Sequence, residues 1–396
     1  MRPAMGLDRY GVMPMPAALL AALMLLVASL ATPQAAPPPA GTPGPPPGPA
    51  KVRAAMGIPS TDTVRGQQDA VGFASRADQM ARVWELSAAP PAPTALGSAV
   101  PERTLGVICP HDDYLYAGRV YRAVLPLVAR ARTVVLVGVF HRYRRFGVRD
   151  VLVFDTSRTW RAPDGEIPVS PLREEVLRRM PPGSAIQSGV MHDSEHSLEA
   201  LAYWLRHQRP DLEILPVIVP AARLDRLAEL GRALGGALAE ACRARGLALG
   251  RDVAFAISTD GVHYGSDFSF TPFGEGGVDA YVKATAQDEA ILRDLVAGPV
   301  TEERVAALSA RFVDPVAPDT YRLTWCGRFA VPLGMLALGE LARATGMGQV
   351  SAVPIAYATS VGAPELPVRD LGLSETAPAN LYHFVGYPAA AITLGE

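Results

Sequence analysis

The sequence predicts an α/β protein built on a mixed, mainly parallel β-sheet flanked by helices. Three observations predict it. Short apolar runs rich in Val and Ile alternate with longer stretches of helical period, the pattern that βαβ units produce. No internal repeat is present, which argues against a solenoid or propeller. The composition is that of an ordinary soluble protein, with 49% hydrophobic and 19% charged residues, so a packed core is within reach.

The first segment stands apart from this pattern. Arg2 and Arg9 precede an apolar run over 17–31, and small residues follow, so 1–36 reads as a signal peptide or an N-terminal anchor. The run is short for a membrane span of roughly 20 residues, and no cysteine follows it to carry a lipid. An exported, periplasmic or extracytoplasmic location is expected, with membrane attachment only through that anchor if it stays uncleaved. Residues 37–50 are mostly Pro, Ala and Gly and read as a stiff linker. The α/β domain is expected over 51–396.

Strands are expected over 105–109, 133–139, 151–154, 213–219, 253–258, 352–358 and 382–385, each a short apolar run. Amphipathic helices are expected over 172–180, 195–207, 224–245, 280–296, 302–311 and 329–343. The Gly-rich, aromatic stretch 268–277 reads as a surface loop. The formal net charge of -2 leaves no electrostatic footprint for nucleic acid. Cys109, Cys242 and Cys326 are too few and too scattered for a disulfide framework, although one pair has the option of bridging in an exported protein.

Polar residues gather at the expected strand tips. His111 and Asp112 follow the first strand, His141 the second, and Asp260 and His263 the strand over 253–258. In open α/β sheets ligands bind along the carboxyl ends of the strands, so these residues are expected to converge. Neutral imidazoles and carboxylates are ligands for Fe(II), Zn and Cu. Cys326 precedes an apolar helix whose N-terminus would favour the thiolate a soft metal needs. Glu195 and His196 stand at the expected start of another helix, where the acid suits the positive helix end; His196 is a candidate general acid or a partner to a ligand. His192, His207 and His383 read as structural or surface residues. The chain has no G-x-S-x-G elbow, P-loop or H-E-x-x-H motif.

These motifs together resemble the Memo family, which includes the proteins called AmmeMemoRadiSam system protein B. The family's Pro-His-Ala-Gly-Tyr-x-Tyr-x-Gly resembles Pro110 to Gly118, and its Gly-Pro-Ser-His resembles Gly138 to His141. Glu-His-Ser-Leu-Glu is matched outright at Glu195 to Glu199, Ser-Ser-Asp-x-x-His-Tyr-Gly resembles Ser258 to Gly265, Cys-Gly resembles Cys326 and Gly327, and Val-Gly-Tyr matches Val385 to Tyr387. The motifs span about 105–388 in the family's order.

The resemblance implies a fold similar to class III extradiol dioxygenases. It implies a mononuclear metal site with His111, His141 and Cys326 as ligands and with Asp260 and His263 beside them. It also implies iron or copper and redox chemistry; with the residues read above, the expected cofactor is iron, with copper or zinc as alternatives, the expected substrate a small molecule, and the candidate catalytic groups His196, His263, Asp260 and Glu195. A zinc hydrolase using the same ligands, and a non-enzymatic binding or scaffold protein, are the alternative readings; no protein partner is implied. The chain departs from the family pattern where Asp112 and Asp113 replace Ala and Gly, and where Val139 and Phe140 replace Pro and Ser. A carboxylate so close to His111 is a candidate extra ligand.

Overall fold

The computed structural model describes residues 60–89 and 100–395. The expected signal or anchor, the linker and the first residues of the expected domain lie outside the described residues. Thirteen strands are described: β1 Val64–Arg65, β2 Thr104–Cys109, β3 Thr133–Val139, β4 Leu152–Phe154, β5 Thr159–Ala162, β6 Gly165–Pro168, β7 Ala185–Gln187, β8 Glu213–Val219, β9 Val253–Ser258, β10 His263–Gly265, β11 Gly298–Pro299, β12 Val350–Thr359 and β13 His383–Leu394. The longer helices are α1 Ala77–Leu86, α2 Tyr114–Val124, α3 Leu172–Arg179, α4 Glu199–Gln208, α5 Leu224–Arg245, α6 Val278–Ile291, α7 Glu302–Phe312 and α8 Ala330–Ala344. Among the described residues, no helix is long and apolar enough to cross a membrane.

The main sheet is mixed and flanked by helices, in the order β11-β12-β13-β2-β9-β3-β8-β4-β7, with β10 added against β13; β1, β5 and β6 form a small separate sheet. Parallel pairing holds the centre, where β2, β9, β3 and β8 run the same way. These four strands are buried along nearly their whole length, as expected where both faces of a parallel sheet are covered. Antiparallel pairing takes over on the flanks, through β12 and β13 on one side and β4 on the other. α8 lies on the face presented by Gly106 and Ile257: a Cβ on Gly334 would sit 2.7 Å from Ile257, and one on Gly106 would sit 2.7 Å from Leu338. α5 crosses α8 at Gly235, where a Cβ would stand 2.4 Å from the Ala337 carbonyl oxygen.

The C-terminal strand is the largest difference from expectation, twelve residues where four were expected. Pro388 and the run Ala389 to Ala391 are poor strand formers. Pro388 pairs with Tyr357 of β12 on one side. On the other it falls between the end of the β10 pairing at Val385 and the start of the β2 pairing at Ala390. The missing N–H is tolerated in that gap. Helix α2 was not expected either, because Tyr114, Tyr116, Tyr121 and a glycine dilute its helical signal; burial of its Tyr and Leu side chains supplies what propensity does not.

Candidate metal centre

Since β2, β9 and β3 are adjacent and parallel, their carboxyl ends lie along one edge. His111 is two residues past β2, His141 two past β3, and Ser258 closes β9 with Asp260 two residues on. The rings of His111, His141 and His196 meet there, with centroids 5.3, 5.7 and 5.2 Å apart in pairs. Cys326 arrives from the turn before α8. That turn presses on the end of β9, where the Gly327 amide donates to Thr259 Oγ1 at 3.0 Å and a Cβ at Gly327 would be 2.3 Å from Thr259. The Cys326 sulfur accepts from the Asp260 amide at 2.9 Å and lies 3.5 Å from His111 Nε2. Asp260 Oδ1 accepts from the His111 amide at 2.8 Å, and its Oδ2 stands 3.3 Å from His111 Nε2.

Hydrogen bonding fixes which ring nitrogens face inward. Ser258 Oγ spends its single proton on the Ser197 carbonyl at 2.6 Å, so it accepts from His111 Nδ1, also at 2.6 Å. His111 Nε2 is left with its lone pair beside the sulfur and the Asp260 carboxyl. Glu195 does the same for His141: Oε1 takes Nδ1–H at 2.9 Å and Oε2 takes the His141 amide at 2.7 Å. Oε1 also accepts from the amides of His196 and Ser197, each at 2.9 Å. Burial works against this charge, but His141 and the amide donors hold Glu195 at about 2. A histidine whose far nitrogen is fixed by a carboxylate or hydroxyl is oriented as metal ligands usually are.

His111, His141 and His196 each offer a ligand atom within 4.8 Å of the others, and so do His111, Asp260 and Cys326. The two triplets share His111. The set expected from the sequence, His111, His141 and Cys326, takes members from both. This donor inventory of imidazole, carboxylate and thiol fits a divalent transition metal. Without a cation, burial pushes the Cys326 thiol and the Asp260 carboxyl well up and holds His111 well below its ordinary value, largely neutral groups awaiting a positive charge.

His196 is paired differently. Its Nδ1 lies 3.6 Å from Asp69 Oδ2. Burial opposes its charged form, but Asp69 and Glu195 together lift it to about 9. Asp69 sits on an N-terminal strap over 60–76 that is locked by a buried ion pair, Arg65 NH1 to Glu199 Oε1 at 2.6 Å. Glu199 also accepts from the amides of Gln68 at 2.6 Å and Asp69 at 2.9 Å. Arg65 further donates to the carbonyls of His192 and Glu195 and lies over the Trp160 ring.

Four sequence expectations are corrected. Cys326 is not at the first turn of α8, which begins at Ala330, and burial raises its thiol instead of a helix end lowering it. Glu195 and His196 are not the start of a helix: α4 begins at Glu199, and Glu195 turns inward to bind the loops carrying His141 and Ser197. All three cysteines are free, so no pair is bridged. Asp112 is not the carboxylate nearest the histidine cluster. Its Oδ2 accepts from Tyr387 at 2.6 Å, while Asp113 accepts from the Thr376 amide and hydroxyl at 2.5 and 2.8 Å.

His263 is placed beside these groups, its Nδ1 directed at the carbonyls of Gly261 and Thr324 at 3.1 and 3.0 Å. His192 is buried against the Val153 carbonyl and His207 pairs with Asp164, whereas His383 lines a cavity next to His263. Sequence reasoning missed Asp69, Arg65 and Ser258. For Asp69 and Arg65 no signal was available, since each is a lone polar residue in a segment with no periodicity; Ser258 ends a strand among chemistry-bearing residues and was the one within reach.

The profile of the Memo-like protein family matches residues 77–363. A MEMO1 family protein of Methanosarcina barkeri is 30% identical over 171 residues, which cover 42% of this chain and 58% of that protein. MEMO1 family proteins of Thermococcus onnurineus and Pyrococcus horikoshii are each 29% identical, over 182 and 188 residues, covering 43% and 45% of this chain and 56% and 60% of theirs. The chain thus spans a little over half the length of these curated relatives.

Proposed function

Because the chain belongs to the Memo-like protein family, we propose that it is an exported protein that binds one redox-active metal ion, iron by preference, and acts as an oxidoreductase on a small molecule. The observation that carries this reading is the convergence of His111 Nε2 with the sulfur of Cys326 and the carboxyl of Asp260 at one buried point, beside His141. A mixed nitrogen, oxygen and sulfur donor set supports iron over magnesium or calcium. Export is supported by the composition of 1–36 alone.

In this reading His111, His141 and Cys326 hold the ion and Asp260 stands beside it. When bound, the metal supplies electron transfer and a Lewis-acidic position for oxygen or substrate. Ser258 and Glu195 keep the two imidazoles in the tautomer that presents Nε2. His196, protonated through the neutral range, is the group that delivers a proton, and His263, held low by burial, is the group that accepts one. A zinc hydrolase is the second reading, favoured by the thiol next to His111, since two nitrogens and a sulfur make a zinc site that zinc enzymes use.

Elemental analysis of the full chain purified without oxygen, beside His111→Ala/Cys326→Ala, tests both. Iron or copper at about one equivalent in the wild type and absent from the variant supports the first reading. Zinc at the same stoichiometry, with hydrolytic turnover, supports the second. No metal in either protein, both folded, refutes both.

A further inference from the structure

Asp112 and Asp113 stand where the family pattern has Ala and Gly, and the structure gives the two carboxylates different tasks. Asp113 pins a wall. Its two oxygens hold Thr376, and Tyr116 holds the same segment by donating to the Ala377 carbonyl at 3.3 Å and accepting from the Ala379 amide at 3.1 Å. Behind that wall lies a cavity of about 160 Å³, lined in part by Asp112, His263, Phe268, Ser360, Ala379 and His383.

The cavity presents acceptors on Asp112 and His263. Asp112 accepts from the Asp113 amide at 2.8 Å and from Tyr387, which leaves about two of its four lone-pair positions free. His263 commits Nδ1 to carbonyl groups, which leaves its Nε2 as an acceptor, and His383 directs its own Nδ1 at Asp267, 3.3 Å away. Among the described residues, neither Asp112 nor Asp113 has an Arg or Lys within ion-pair distance. Phe268, Ala377, Ala379 and Val385 give the cavity an apolar side, with the Phe268 ring 5.0 Å from His263 and 4.6 Å from His383.

We propose that this cavity binds a small primary amine with a flat apolar body, its ammonium group held by Asp112 and its body against Phe268. The ligand is a substrate only insofar as the metal reading above holds; its binding stands apart from that. Size limits the ligand to one ring or a short chain, since ligand pockets for larger molecules run from about 300 Å³ upward.

Calorimetry with 2-phenylethylamine as the probe and 2-phenylethanol as its uncharged counterpart tests the proposal on the full chain. Asp112→Asn removes the charge and keeps the shape; Ala379→Phe fills the cavity and leaves Asp112 in place. The amine is expected to bind wild type more tightly than the alcohol, to lose about ten- to a hundredfold in Asp112→Asn, and to be excluded by Ala379→Phe, while the alcohol is indifferent to Asp112→Asn. Equal binding of amine and alcohol, unchanged amine affinity in folded Asp112→Asn, or no binding to folded wild type overturns it. Metal content measured on the same samples separates the two readings. Amine binding by protein that takes up no metal sinks the oxidoreductase and keeps the pocket, whereas metal uptake without amine binding does the reverse.

Discussion

Replacing Glu199 by Gln removes one charge from the ion pair that locks the N-terminal strap. Glu199 is fully buried and Arg65 is 1% exposed. The carboxylate serves three donors at once, the Arg65 guanidinium and the amides of Gln68 and Asp69. A glutamine amide keeps one oxygen, so its NH₂ must confront at least one of these N–H groups, and Arg65 is left with only carbonyl partners. Breaking one side of a buried pair costs about 3–5 kcal/mol, against a total stability on the order of 5–15 kcal/mol. Desolvation offsets much of the pair's attraction: burial raises the Glu199 carboxyl above its ordinary value in spite of Arg65, although Glu199 in turn raises the Arg65 guanidinium. Arg65→Met/Glu199→Leu is therefore expected to be less destabilised than either single change. Urea denaturation checks both statements through the midpoint at an unchanged slope. A loss below about 1 kcal/mol in Glu199→Gln, or a double variant that loses the sum of the singles, refutes the reasoning.

Glu195→Gln should leave the fold intact and weaken metal affinity about 10- to 100-fold, as loss of an orienting carboxylate does, read by competition with a chelator. In metal-free protein the ionised Glu195 contributes about 3 kcal/mol, from the gap between about 2 and its ordinary 4.5. Because the folded value is the lower one, that contribution is present above about 4.5 and lost as pH falls through about 2; Glu195→Gln should flatten this part of the stability curve. Asp69→Asn should return the His196 titration, seen by NMR, from about 9 toward the ordinary imidazole range; a midpoint that stays near 9 would show that Asp69 is not the cause. Gly235→Ala should lower the melting temperature, since a methyl 2.4 Å from the Ala337 carbonyl costs about 1–3 kcal/mol in overpacking and recovers only about 1 kcal/mol in helix propensity.

The sheet centre was legible because β2, β3, β8 and β9 are buried on both faces, so their apolar runs are continuous. His111, His141, Asp260 and His263 were legible for the same reason, being the polar residues at the tips of clear strands. β13 was not, because Pro388 is excused by a gap in pairing that only the assembled sheet creates. Glu195 was placed on a helix by its helical neighbours, although four hydrogen bonds to backbone and ring donors turn it inward. Asp69 left no trace in the sequence, since its position depends on Arg65 meeting Glu199 across 134 residues.

The centre gathers side chains from residues 69, 111, 141, 196, 260 and 326, no two of them in the same strand or helix. Closing loops of that length precedes any reward from the contacts they permit. Under the metal reading proposed above, no fragment of the chain holds the whole donor set, and a metal that binds only the completed arrangement adds its binding free energy to the native state alone. Refolding from urea should therefore show backbone structure returning before metal uptake, so that the ion serves as a probe for the last contacts to form.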